Sequence, residues 1–164
     1  KKKINISKNF MNDNYILIYN NLIKLTRNKN LYNNEKQDTF YDRLVILFFH
    51  LSFLFKIYKN IELKPNLQKF FDYSVRQIEL SIREIGYGDA TINKKMKDYI
   101  NILYSIIDNI DSWETKNAKE KEAIFKKFIE DSSNYEKYVE YFEKYSNYLR
   151  KNTFNNLSKD IITL

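Results

Sequence analysis

The chain of 164 residues has two glycines, both in the stretch Gly86-Tyr87-Gly88, and a single proline, Pro65. Glycine admits left-handed backbone without penalty, and proline ends or kinks a helix from within. A chain so short of both can be almost wholly helical. It has placed its backbone freedom at one connection, so that connection is specified.

The flanking residues define it. Leu67, Phe70, Phe71, Val75, Ile78, Ile82 and Ile85 recur at helical spacing, as do Ile92, Met96, Ile100, Leu103, Ile107 and Ile110. Gly86 then stands where a helix C-cap needs positive φ. Asp89 or Thr91 is placed to cap the next helix. The result is a helix–Gly-x-Gly-Asp–helix corner, and it is not a nucleotide cradle, because no strand precedes it and the third glycine is missing.

The same periodicity predicts helices at about 12–28, 39–59, 117–130 and 134–151, with a short last one using Leu157, Ile161 and Ile162. Thr39 to Asp42 reads as a capping box for the second, unless Asp38 caps it. Pro65 suits a helix start. Asn28 to Lys36 is the clearest linker, and strand-like alternation is lacking. The fold class is therefore all-α, a single-domain bundle of about six to seven helices over residues 1–164, with 1–11 as a basic tail that can be flexible. This length buries about 70% of the unfolded surface without disulfide or metal. The absence of Cys fits a reducing compartment.

Net charge is +7, and its distribution is uneven. Residues 1–64 hold 12 Lys/Arg against 5 Asp/Glu, whereas 65–112 hold 6 against 7 and 113–164 hold 10 against 9. Such a first part can steer the chain to RNA or an anionic membrane surface, or can be a solvated lysine tail. The apolar run from Leu44 to Phe55 falls short of the roughly 20 residues a bilayer requires, and no signal peptide is visible.

Little here supports catalysis. His50, the only histidine, lies in the most apolar helix and reads as a satisfied core residue. With no Cys and no second His, zinc sites and nucleophilic triads lack parts. Arg43, in a first helical turn where the macrodipole disfavours a cation, calls for a carboxylate: Asp38, Asp42, Glu84 or Asp89. Asp72, Arg76, Glu79 and Arg83 line one polar face. Lys94, Lys95 and Lys97 would make a mixed-charge rim beside Asp89. The tyrosines at 135, 138, 141, 145 and 148 are spaced for core packing; stacking on bases is the alternative, opposed by Glu136, Glu140 and Glu143.

Residues 81–97, Ser-Ile-Arg-Glu-Ile-Gly-Tyr-Gly-Asp-Ala-Thr-Ile-Asn-Lys-Lys-Met-Lys, resemble the Leu-Arg-Glu-Met-Gly-Val-Gly-Asp…Lys-Lys-Met-Lys signature of the ubiquinol–cytochrome c chaperone family. Asp38-Thr39-Phe40-Tyr41-Asp42-Arg43-Leu44, followed by His50, is similar to a second block of that family, where Asp-Thr and an Arg precede a His in an apolar helix. The resemblance spans roughly residues 15 to 110. It implies a non-enzymatic assembly factor acting on newly made cytochrome b of ubiquinol:cytochrome c reductase. Such a factor works near the ribosome and the inner-membrane surface, on the cytoplasmic or matrix side, with a small helper protein. Asp38, Thr39, Arg43, Arg83, Glu84, Gly86, Gly88, Asp89, Lys94 and Lys95 become candidate partner-binding residues, with His50 structural. No cofactor is expected, haem being a ligand of the client, and DNA is not among the expected partners.

Two other readings stay open. One is a basic helical module binding RNA, ribosome or an anionic membrane, unrelated to respiration. The other is an enzyme using the Arg-Glu-x-Gly-x-Gly-Asp corner on a small anion. The polar cluster of Arg43, Arg83, Glu84 and Asp89 is expected to converge on one surface.

Overall fold

The most apolar segment forms the centre of the fold. In the computed structural model, which describes residues 2–32, 39–62, 64–130, 132–159 and 164 (2–13 by backbone alone), it is the helix α2, Phe40–Tyr58. Its capping box is formed as expected: Thr39 Oγ1 accepts from Asp42 N–H at 3.2 Å, and Thr39 N–H donates to Asp42 Oδ2 at 3.1 Å. Every residue from Leu44 to Leu54 is buried. A helix apolar all round has no wet face and must be enclosed; α2 packs against the first, fourth and sixth helices. Each large side chain so enclosed contributes roughly 1.5–3 kcal/mol.

Around it lie α1 (Lys2–Thr26), α3 (Lys64–Ile85), α4 (Asp89–Ile110), α5 (Ala118–Phe128) and α6 (Glu136–Lys151). Among the described residues there is no strand. The chain is an all-α bundle. The first helix begins at Lys2 rather than near residue 12. Its opening turns are polar and basic, so the apolar stripe that marks the rest does not extend to its start.

Helices α1 and α3 run in the same direction. Tyr15 meets Phe70 and Tyr19 meets Tyr73, each pair with ring centroids 5.9 Å apart. The α5–α6 hairpin closes the other side of α2 with aromatic rings. Phe142 stacks on Phe53 at 5.2 Å and on Phe125 at 5.5 Å, and Trp113 meets Phe53 edge-on at 5.0 Å. Tyr138 and Tyr145 are buried, and Tyr135, Tyr141 and Tyr148 are partly so and packed on the core. The tyrosine ladder is therefore core, as its spacing predicts.

After α6 the described chain continues as a 3-10 turn, Asn155–Ser158. Leu157 is buried there, and its carbonyl accepts from Asn21 Nδ2 at 2.7 Å, which ties the turn to α1. Ile161 and Ile162 lie outside the described residues. Among the described residues no helix is long and apolar enough to cross a membrane.

Candidate functional site

The corner between α3 and α4 is built as its glycines require. Gly86 has φ +98°, the left-handed C-cap conformation, and its N–H donates to Arg83 O at 3.0 Å. The cap of α4 differs from expectation: neither Asp89 nor Thr91 caps it. Gly88, at φ −72° and ψ 159°, is the N-cap and has no side chain to accept a bond. Asp89 is the first helical residue, and its carboxylate turns back to Arg83 Nη1 at 2.8 Å.

Arg83 also reaches Glu79 Oε1 at 3.0 Å, and Arg76 meets the same carboxylate at 3.3 Å. Of the polar face expected on α3, Arg76, Glu79 and Arg83 thus pair, whereas Asp72 accepts from Gln68 Nε2 at 3.0 Å. The hydrogen bond from Arg83 holds the Glu79 carboxyl below the usual carboxylate range. Beyond the turn, Lys95 Nζ lies 4.6 Å from the centre of the Tyr87 ring, a cation–π contact. Lys95 therefore covers Tyr87 and leaves Asp89 to Arg83. Glu84 and Lys94 are exposed, as are the apolar side chains of Ile85 and Tyr87. Charged and aromatic groups on this corner face solvent from a glycine-set turn.

The expected single surface resolves into two. Arg43 lines a cavity with Ile78 and Ser81 of α3. At about 100° per helical residue, Arg83 stands on the opposite side of α3 from Ser81. The Arg83–Asp89 pair and Arg43 therefore flank α3 on different faces. Thr39, spent on the α2 cap, belongs with Arg43; Asp38 lies outside the described residues.

His50 lies in the core. It is fully buried, with Nδ1 at 2.7 Å from Ile46 O and Nε2 at 2.7 Å from Tyr141 Oη. A carbonyl only accepts, so the proton sits on Nδ1, and Nε2 accepts from the tyrosine. Burial pushes the imidazole down to about 4, partly countered by the Ile46 bond. Tyr145 Oη donates to the His50 carbonyl at 3.0 Å.

A feature that the sequence did not single out is an open groove of about 250 Å³ among α2, α3 and α4. Phe55, Phe71 and Tyr104 form its aromatic lining, with the Phe71 and Tyr104 rings stacked at 6.0 Å, and Lys59 and Lys64 border it. Its parts come from three helices, so no local spacing reveals it. Among the described residues no group of three or more His, Cys, Asp or Glu is placed to hold a metal ion.

No family model and no curated protein matches the chain. The fold, however, matches the crystal structure of the Cbp3 homolog from Brucella abortus with a TM-score of 0.78 and 19% sequence identity, over 99% of this chain and 95% of that one. At that identity the likeness shows a shared fold. It extends through α5 and α6, beyond the residues that carry the family resemblance.

Proposed function

We propose that the chain is a non-enzymatic assembly chaperone that binds newly made cytochrome b and supports biogenesis of ubiquinol:cytochrome c reductase. The observation that carries this is the full-length likeness in fold to the Cbp3 homolog. The family-like motif of residues 81–97 supports the same reading, because it falls on the one corner where the chain's glycines set an exposed turn.

Cytochrome b displays apolar membrane helices before it is assembled. The groove lined by Phe55, Phe71 and Tyr104 suits one side of such a helix, and Lys64 at its border suits an acidic flanking residue or lipid phosphate, while Lys59 is paired with Asp111 at 2.9 Å. The corner of Arg83, Gly86, Gly88, Asp89, Lys94 and Lys95 is the partner-specific surface, with Thr39 and Arg43 on the other side of α3, toward which Glu84, one turn after Ser81, is turned. Holding is by binding alone. The positive excess of residues 1–64 draws the chain to the ribosome or the anionic inner-membrane surface, on the cytoplasmic or matrix side, where a small helper protein can join it.

Depletion of the protein in its own cells tests the reading. The expected result is loss of assembled ubiquinol:cytochrome c reductase with cytochrome b synthesis intact, restored by the wild-type chain. Normal levels of the assembled complex after depletion would overturn it.

A further inference from the structure

Two aromatic pairs fill the space between the parallel helices α1 and α3, Tyr15 with Phe70 and Tyr19 with Tyr73. At the same offset along the two helices, Ile23 stands level with Ile78, and Thr26 with Ser81. The aromatic pairs thus give way to an aliphatic pair and then to two small residues. Between α1, α2 and α3 at this level lies a cavity of about 140 Å³, lined by all four.

Leu44 and Leu47 of α2 complete the wall, and both are buried, as are Tyr19, Thr26 and Ile78. The aliphatic hydroxyls serve their own helices: Thr26 Oγ1 donates to Ile23 O at 2.6 Å, and Ser81 Oγ to Gln77 O at 3.0 Å. Neither is left as a donor for a bound molecule. No Asp or Glu lines the space to offset a cation, and of the arginines that do line it, Arg43 is already engaged within the chain. An engineered cavity of about 150 Å³ lined by Leu, Ile and Phe binds benzene, so size and lining here match one aromatic ring or a branched hydrocarbon.

We propose that this cavity binds one small neutral apolar molecule, a single aromatic ring or a branched hydrocarbon of that size, against Leu44, Leu47 and Ile78. The site lies across α3 from the Arg83–Asp89 corner. It goes beyond the chaperone reading, and neither depends on the other.

The test is titration of the full chain with benzene and toluene, beside benzoate and benzylammonium, read by the methyl resonances of its leucines and isoleucines. Each hydrocarbon is expected to saturate at one molecule per chain, with the largest shifts at Leu44, Leu47 and Ile78. The two ions should bind at least about tenfold more weakly, because each would lose hydration against an apolar wall. S81L, which puts a larger side chain at the small-residue level, should weaken toluene at least about tenfold; if it fails to fold, the methyl map of the wild-type chain still decides. Shifts that do not saturate, shifts centred instead on Leu67 and Ile107 of the open groove, either ion as tight as toluene, or wild-type affinity in a folded S81L would overturn the proposal.

Discussion

Arg83 and Asp89 meet at 2.8 Å across the glycine turn, so one ion pair joins the last turn of α3 to the first residue of α4. Each charge is also favoured by its own helix, the cation at a C-terminus and the carboxylate at an N-terminus. The Asp89 side chain is nevertheless 86% exposed. A pair so solvated contributes little to stability. Asp89→Ala and Arg83→Ala should therefore melt close to wild type while lowering assembled reductase in cells. Loss of the protein itself in proportion would assign the pair to structure alone.

The two glycines should respond differently to substitution. A Cβ at either would meet nothing within 4 Å, so sterics do not separate them and backbone conformation does. At Gly86, with φ +98°, alanine should cost about 1 kcal/mol or more. Gly88 is an N-cap with ordinary φ, and Gly88→Ser should be neutral or stabilising by up to about 1 kcal/mol. Denaturant midpoints of the two variants decide the matter; equal losses would contradict the assignment of one C-cap and one N-cap.

These glycines also show what was legible in the sequence. The stripe ending at Ile85 and the glycine after it define the C-cap, because periodicity and φ are local properties. The cap of α4 was not legible: Asp89 has the chemistry of an N-cap, but a partner one turn back on α3 takes its carboxylate. Nor were the two faces of the candidate site, since Arg43 meets α3 only through tertiary packing. The capping box at Thr39, the buried His50 and the tyrosine ladder were legible, each resting on spacing within one helix.

His50 makes stability depend on pH. Its folded value of about 4 lies below the ordinary 6.5, so the unfolded chain takes up this proton first. The stabilisation is complete above about 6.5 and is lost as pH falls toward 4, on the order of 3 kcal/mol in all. Urea unfolding across that range should show the decline in wild type and a flatter profile in His50→Gln. Glu79, held low by Arg83, adds loss in the same direction at lower pH in both proteins. An equal slope in the two proteins at pH 5–6.5 would contradict a buried neutral imidazole.

Phe142 anchors the aromatic core, with Phe49, His50, Phe53 and Phe125 all within 5.6 Å between ring centroids. Phe142→Ala leaves a cavity among rigid rings that cannot collapse into it, and should cost about 3–5 kcal/mol. Thermal melting checks this, and a loss below about 1 kcal/mol would mean that the α5–α6 hairpin does not pack on α2 as described.

Under the proposed function, the α3–α4 corner meets newly made cytochrome b. A photoreactive amino acid in place of Tyr87, exposed at the tip of the turn, tests it most directly when cells are pulse-labelled and irradiated during synthesis. The account predicts a crosslinked adduct containing labelled cytochrome b, weakened by Arg83→Ala and absent from a control with the probe on the outer face of α5 at Lys119. Adducts lacking cytochrome b, from a chain that is soluble and folded, would contradict it.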